Sequence, residues 1–100
     1  MTKKKEYKAI ISEEAKYGEY TNFVKIQHSG VDFRCDFAKI LPEEESVYFH
    51  TRLFMSPIHA KLLMKAMQDN IEKYEAQFGT IELKMDRTVH VSATGSQETH

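Results

Sequence analysis

The chain has one cysteine, no excess of either charge and no apolar run longer than a few residues, and each shortage excludes a class of protein. With Cys35 alone, no internal disulfide can form. Lys and Arg number 14 against 15 Asp and Glu, a formal net charge of -1, so no global field draws the chain to nucleic acid or an anionic membrane. Charge-driven binding has to be local. The apolar runs fall far short of the roughly 20 residues that cross a bilayer. Nor is Met1-Thr2-Lys3-Lys4-Lys5 followed by an apolar stretch of signal-peptide length, so a cytoplasmic protein without membrane contact is expected. The five histidines form no His-x-His or His-x3-His spacing, and no Cys-x2-Cys exists.

What is present divides at Met55-Ser56-Pro57. Upstream, apolar residues recur at every second position; downstream, they recur at every third or fourth. The 100 residues suit a single domain over 1–100, in which each buried side chain counts heavily toward stability. Asn22-Phe23-Val24-Lys25-Ile26-Gln27-His28 and Val31-Asp32-Phe33-Arg34-Cys35-Asp36-Phe37 alternate, with only Ser29-Gly30 between them. That pattern predicts a two-residue hairpin with positive φ at Gly30. The implied register sets His28 opposite Val31, Ile26 opposite Phe33 and Val24 opposite Cys35, making one face apolar on both strands. Lys25 then opposes Arg34, unfavourable by about a few tenths of a kcal/mol, with Asp32 and Asp36 diagonal to them.

After Pro42 and the acidic Glu43-Glu44-Glu45, a third strand is predicted from Val47 to Met55. Alternation puts Val47, Phe49, Thr51, Leu53 and Met55 on one face and Tyr48, His50, Arg52 and Phe54 on the other. Tyr7-Lys8-Ala9-Ile10-Ile11 reads either as an added strand or as a loose arm within residues 1–20, and the pattern does not decide. Ser56 suits an N-cap and Pro57 the first helical position. Ala60, Leu63, Met64, Met67, Ile71, Tyr74 and Phe78 keep helical spacing until Gly79 ends the helix, about six turns later. The stripe is most simply core. Lys61 and Lys65 precede Glu72 and Glu75, an order that opposes the helix dipole. Ile81, Leu83 and Met85 alternate as a short final strand, and the small, polar residues 92–100 read as a flexible tail. The fold class expected is α+β: a small antiparallel sheet of three to four strands, one long amphipathic helix on one face, then a short strand.

No catalytic constellation emerges, so a non-enzyme is expected. Cys35 between Arg34 and Asp36 fits a small core residue better than a nucleophile. Three adjacent glutamates in a loop solvate a turn more often than they transfer protons. His28, Cys35, Asp36 and His50 lie on neighbouring strands, but His28 and Cys35 are several ladder positions apart and His50 points to the other face. Neither metal nor cofactor is expected. The strongest candidate surface is the exterior of the sheet, where Phe23, Lys25, Arg34, Tyr48, His50, Arg52 and Phe54 interleave rings with cations. Two uses suit it. A homodimeric, non-enzymatic module would pair subunits through such a sheet or hold another protein partner. Alternatively, single-stranded nucleic acid would stack on it, a use that Asp32 and Asp36 disfavour.

Asn22-Phe23-Val24, Asp36-Phe37, His50-Thr51-Arg52, Met55-Ser56-Pro57, His59-Ala60-Lys61 and Asn70-Ile71-Glu72-Lys73-Tyr74-Glu75 through Phe78-Gly79 also form a recognisable set. Over about residues 20 to 82 the chain resembles the prokaryotic family known as domain of unknown function 3467. The resemblance implies a small cytoplasmic protein of bacteria or archaea and brings no activity, substrate or catalytic residue with it. His50-Thr51-Arg52 and His59-Ala60-Lys61 would be family features either for structural reasons, such as cap chemistry, or for binding.

Overall fold

Alternating residues and short turns lay three strands side by side in a computed structural model that describes residues 4–84. Strands β1 (Phe23–His28), β2 (Phe33–Leu41) and β3 (Ser46–Met55) form an antiparallel meander with β2 in the centre. Helix α1 (Pro57–Phe78) follows after one residue. Ser56 caps it in extended conformation, its Oγ accepting from the His59 amide at 3.2 Å, and Pro57 opens the first turn. Gly79, at φ 106°, ends it and donates its N–H to the Glu75 carbonyl. The α+β architecture expected from the periodicity is the one observed.

The ends differ from the sheet. Tyr7, Ile10 and Ile11 belong to no strand and are exposed, so this segment is an arm. It is tied down further along, where Thr21 Oγ and the Asn22 amide both donate to the Ala38 carbonyl and Asn22 Oδ1 accepts from the Ile40 amide. Residues 79–84 carry no strand, and the rest of the expected final strand lies outside the described residues. Among the described residues no helix is long and apolar enough to cross a membrane.

The hairpin closes otherwise than expected. Ser29 to Asp32 form a four-residue connection in which the Ser29 amide donates to the Asp32 carbonyl at 2.9 Å and Ser29 Oγ accepts from the Val31 and Asp32 amides. The serine hydroxyl organises the turn without a positive φ at Gly30. The register therefore moves by two: Ile26 pairs with Cys35, Val24 with Phe37 and His28 with Phe33. A shift of two preserves every side chain's face, so the apolar side survives. It also removes the opposition of Lys25 to Arg34, because Lys25 now pairs with Asp36.

A larger correction lies in β3. The pairing with β2 slips between Phe37 and Ala38: Thr51 faces Phe37 but Phe49 faces Ala38, leaving His50 as the extra residue of a β-bulge. Beyond the bulge the faces exchange. Met55, Leu53 and Thr51 stay on the side of Phe33, Cys35 and Phe37, whereas Phe49 and Val47 cross to the side of Ala38 and Ile40. The expected single face of Val47, Phe49, Thr51, Leu53 and Met55 is thus split. Tyr48 moves the opposite way, next to Lys39.

Among the described residues, the buried ones all come from β2: Cys35, Asp36 and Ala38. None of α1 is buried. Its first half, Ala60, Leu63, Met64 and Met67, looks toward the apolar side of the sheet across an open hollow of ≈ 440 Å³, whose sheet wall includes Val24, Ile26, Phe33 and Cys35. Only the first half of the stripe expected to be core faces the sheet, and it does so across this hollow without closing on it.

Candidate functional site

The polar side of the sheet is a grid set by register. Phe23, Ala38 and Phe49 make one row; Lys25, Asp36 and Arg52 the next; Gln27, Arg34 and Phe54 the third. Rows on one face repeat every second residue, about 7 Å apart. Of the residues expected here, Phe23, Lys25, Arg34, Arg52 and Phe54 are brought together. Tyr48 is not: the bulge turns it to the other side, where its hydroxyl donates to Glu44 Oε1 at 3.1 Å. His50 occupies the bulge itself. Its Nδ1 lies 2.8 Å from Thr51 Oγ1, and its Nε2 is buried without a hydrogen-bond partner among the described residues. It borders an open hollow of ≈ 350 Å³ shared with Asp36, Phe49, Thr51 and Arg52.

Asp36 is the electrostatic centre of the grid and is only 4 % exposed. Arg52 grips it with a fork, Nε to Oδ1 at 2.8 Å and Nη2 to Oδ2 at 3.2 Å. That hydrogen-bonded carboxylate, and its charge, hold the Arg52 guanidinium above its ordinary pKa. Arg34 is left with the remainder: its Nε lies 3.4 Å from Oδ2 and makes no hydrogen bond. Lys25 makes no ion pair among the described residues. Three cations therefore surround one carboxylate. Asp32, expected to offset them, has left the face for the hairpin loop, where its Oδ1 accepts from Ser29 Oγ at 3.3 Å.

Phe49 is the residue that sequence reasoning missed. Its ring meets Phe23 edge to face, centroids 6.0 Å apart, and it is 53 % exposed; Phe54, two rows away, is 62 % exposed. Nothing in the uninterrupted alternation of Val47, Phe49, Thr51 and Leu53 marks the exchange of faces. Cys35 lies beneath the grid on the apolar side, 6 % exposed, and burial first, then the Asp36 charge, push its thiol pKa up. That is the environment of a packed thiol and not of an activated nucleophile. His59 belongs to the helix cap, its Nδ1 2.8 Å from Ser56 Oγ. Among the described residues no group of three or more His, Cys, Asp or Glu is arranged to hold a metal ion.

Residues 1–83 match a family described as "Protein of unknown function (DUF3467)", and the chain belongs to it. The match includes the amino-terminal arm as well as the sheet and the helix, more than the motifs at 20 to 82 had implied. No curated protein and no solved structure matches the chain.

Proposed function

We propose that this member of the family is a homodimeric, non-enzymatic interaction module whose subunits meet through the apolar side of the sheet and the helix stripe. One observation carries the reading: Leu63, Met64, Met67, Ile71, Tyr74 and Phe78 are each between 41 % and 65 % exposed although they form one continuous stripe. A 22-residue helix is about 33 Å long and about 10 Å wide, so its apolar side offers roughly 330 Å² of footprint. Three strands about 4.8 Å apart and six residues long offer roughly 280 Å² more. The first half of the stripe looks onto that sheet, so the two surfaces share part of this area. The apolar side left open falls within the range of about 300–600 Å² for the largest patch on a monomer, where interaction sites are found. A second copy is the simplest cover, since a two-fold axis brings the same two surfaces from both chains. Sedimentation equilibrium into the high-micromolar range checks this, with a dimer expected and a monomer throughout overturning it.

This arrangement moves the interface from the polar side of the sheet, where the aromatic pattern first suggested it, to the opposite side. The polar side is then left to a second reading, the binding of single-stranded nucleic acid. What favours it is the departure of Asp32, the engagement of Asp36 by Arg52, and the arrival of Phe49 beside Phe23. Rings for stacking and under-engaged Lys25 and Arg34 for phosphates then share one surface. Labelled oligothymidylate should bind at low salt, with a log–log salt slope of about -1.4 for two neutralised phosphates and clear loss in Phe54→Ala. An absence of binding at low salt removes this reading and leaves the dimer untouched.

A further inference from the structure

We infer that the hollow beneath the helix receives the C-terminal half of the helix from a second copy, the two helices running antiparallel about a two-fold axis near Asp69. The inference rests on the proposed homodimer and specifies its geometry.

Within the stripe, Ala60, Met64, Met67, Ile71, Tyr74 and Phe78 are spaced alternately by four and three residues, the seam of a two-helix packing. Folding that seam back on itself at residue 69 sets Ala60 against Phe78 of the second copy, Met64 against its Tyr74 and Met67 against its Ile71. The smallest residue of the seam meets one of the largest, so the layers fill evenly. A parallel, in-register pair would instead set alanine on alanine at one end and phenylalanine on phenylalanine at the other. The structure has already divided the seam along the same line. Ala60, Met64 and Met67 line the hollow with the sheet, while Ile71, Tyr74 and Phe78 extend beyond it at 41 %, 50 % and 65 % exposure. Tyr74 and Phe78 form a ready-made aromatic pair with centroids 5.0 Å apart. Each copy thus has an open apolar slot at one end of its helix and an uncovered apolar plug at the other.

The charges agree. Lys61 and Glu75 each directly follow a seam residue, Ala60 and Tyr74, and so flank the seam on the same edge. In the antiparallel arrangement Lys61 of one copy meets Glu75 of the other, twice per dimer. In a parallel pair they lie about 21 Å apart along the axis and never meet. Glu75 is held for this contact, because its Oε2 already accepts from the Ile81 amide at 2.9 Å and its other oxygen remains available. Lysine early and glutamate late oppose the dipole of their own helix, but antiparallel pairing sets each charge against its complement and each helix end against the opposite end of its neighbour.

Charge exchange tests the pairing. At low salt, Lys61→Glu and Glu75→Lys should each weaken the dimer about tenfold, and the double exchange should return Kd to within about threefold of the native value. Misfolding cannot produce that pattern, since damage to the monomer, such as the loss of the Glu75–Ile81 hydrogen bond in Glu75→Lys, would persist in the double exchange and not be reversed by it. Spin labels on Gln68→Cys and Gln77→Cys, both in a Cys35→Ala background, give a second measurement. The helices should be about 10 Å apart at 68, whereas the positions at 77 should be about 24 Å apart along the axis. A dimer insensitive to the exchange, or with equal separations at 68 and 77, overturns the antiparallel pairing while the dimer stands. A chain monomeric at every concentration overturns both.

Discussion

Asp36 and Cys35 sit side by side on the central strand, point to opposite faces and share one electrostatic environment. The carboxylate, 4 % exposed, is held by the Arg52 fork; the thiol, 6 % exposed, is deprived of water and feels the same negative charge. Both effects favour the protonated thiol in the folded chain. With its pKa raised on folding, the thiol's contribution to stability is present below the ordinary thiol pKa and is lost as pH rises through the higher folded value. Cys35 should therefore react with a thiol reagent at pH 8 at least about tenfold more slowly in the native chain than in denaturant, and its rate should rise at higher pH than that of the unfolded chain. Rapid stoichiometric labelling at neutral pH would contradict this. The packed character of Cys35 was legible in its alternating neighbours. The fork on Asp36 was not, because it depends on which cation stands across the ladder and not on which stands beside it in sequence.

Among the elements, α1 was the most legible, since its boundaries follow from local chemistry: Ser56 and Pro57 at its start, Gly79 at its end. Replacing Ser56 by alanine removes the acceptor for the His59 amide and the partner of His59 Nδ1, and should lower stability by about 1 kcal/mol in chemical denaturation. No change in the denaturation midpoint would show the cap to be dispensable. The hairpin illustrates a partly legible element. Its pairing is displaced by two residues from the register a two-residue turn predicts, yet every side chain keeps its face because strand periodicity is two. The bulge at His50 has the opposite effect. One extra residue exchanges faces for the whole segment beyond it, removing Tyr48 from the candidate surface and bringing in Phe49. Such a slip leaves no trace in an alternating pattern, since it is set by pairing with β2. The resulting polar face keeps Phe23, Lys25, Arg34, Arg52 and Phe54 of the residues expected there, loses Tyr48, gains Phe49, and has His50 in the bulge at its border.

For the whole molecule, the consequence of the fold is an apolar side left half open. The periodic stripe of α1 was plain in the sequence, but periodicity reports which side of a helix avoids water and not which surface covers it. Here the helix shares a hollow of ≈ 440 Å³ with its own sheet and keeps Ile71, Tyr74 and Phe78 beyond that hollow in solvent. The proposed second copy would cover both at once, and this is the central claim. Sedimentation velocity on the native chain and on Ile71→Asp tests it most directly, with helix content followed by circular dichroism. At high micromolar concentration the native protein should sediment with the mass of two 11.7 kDa chains and Ile71→Asp with that of one, both keeping their helix. A native chain that sediments as a single 11.7 kDa species over the whole range contradicts the account.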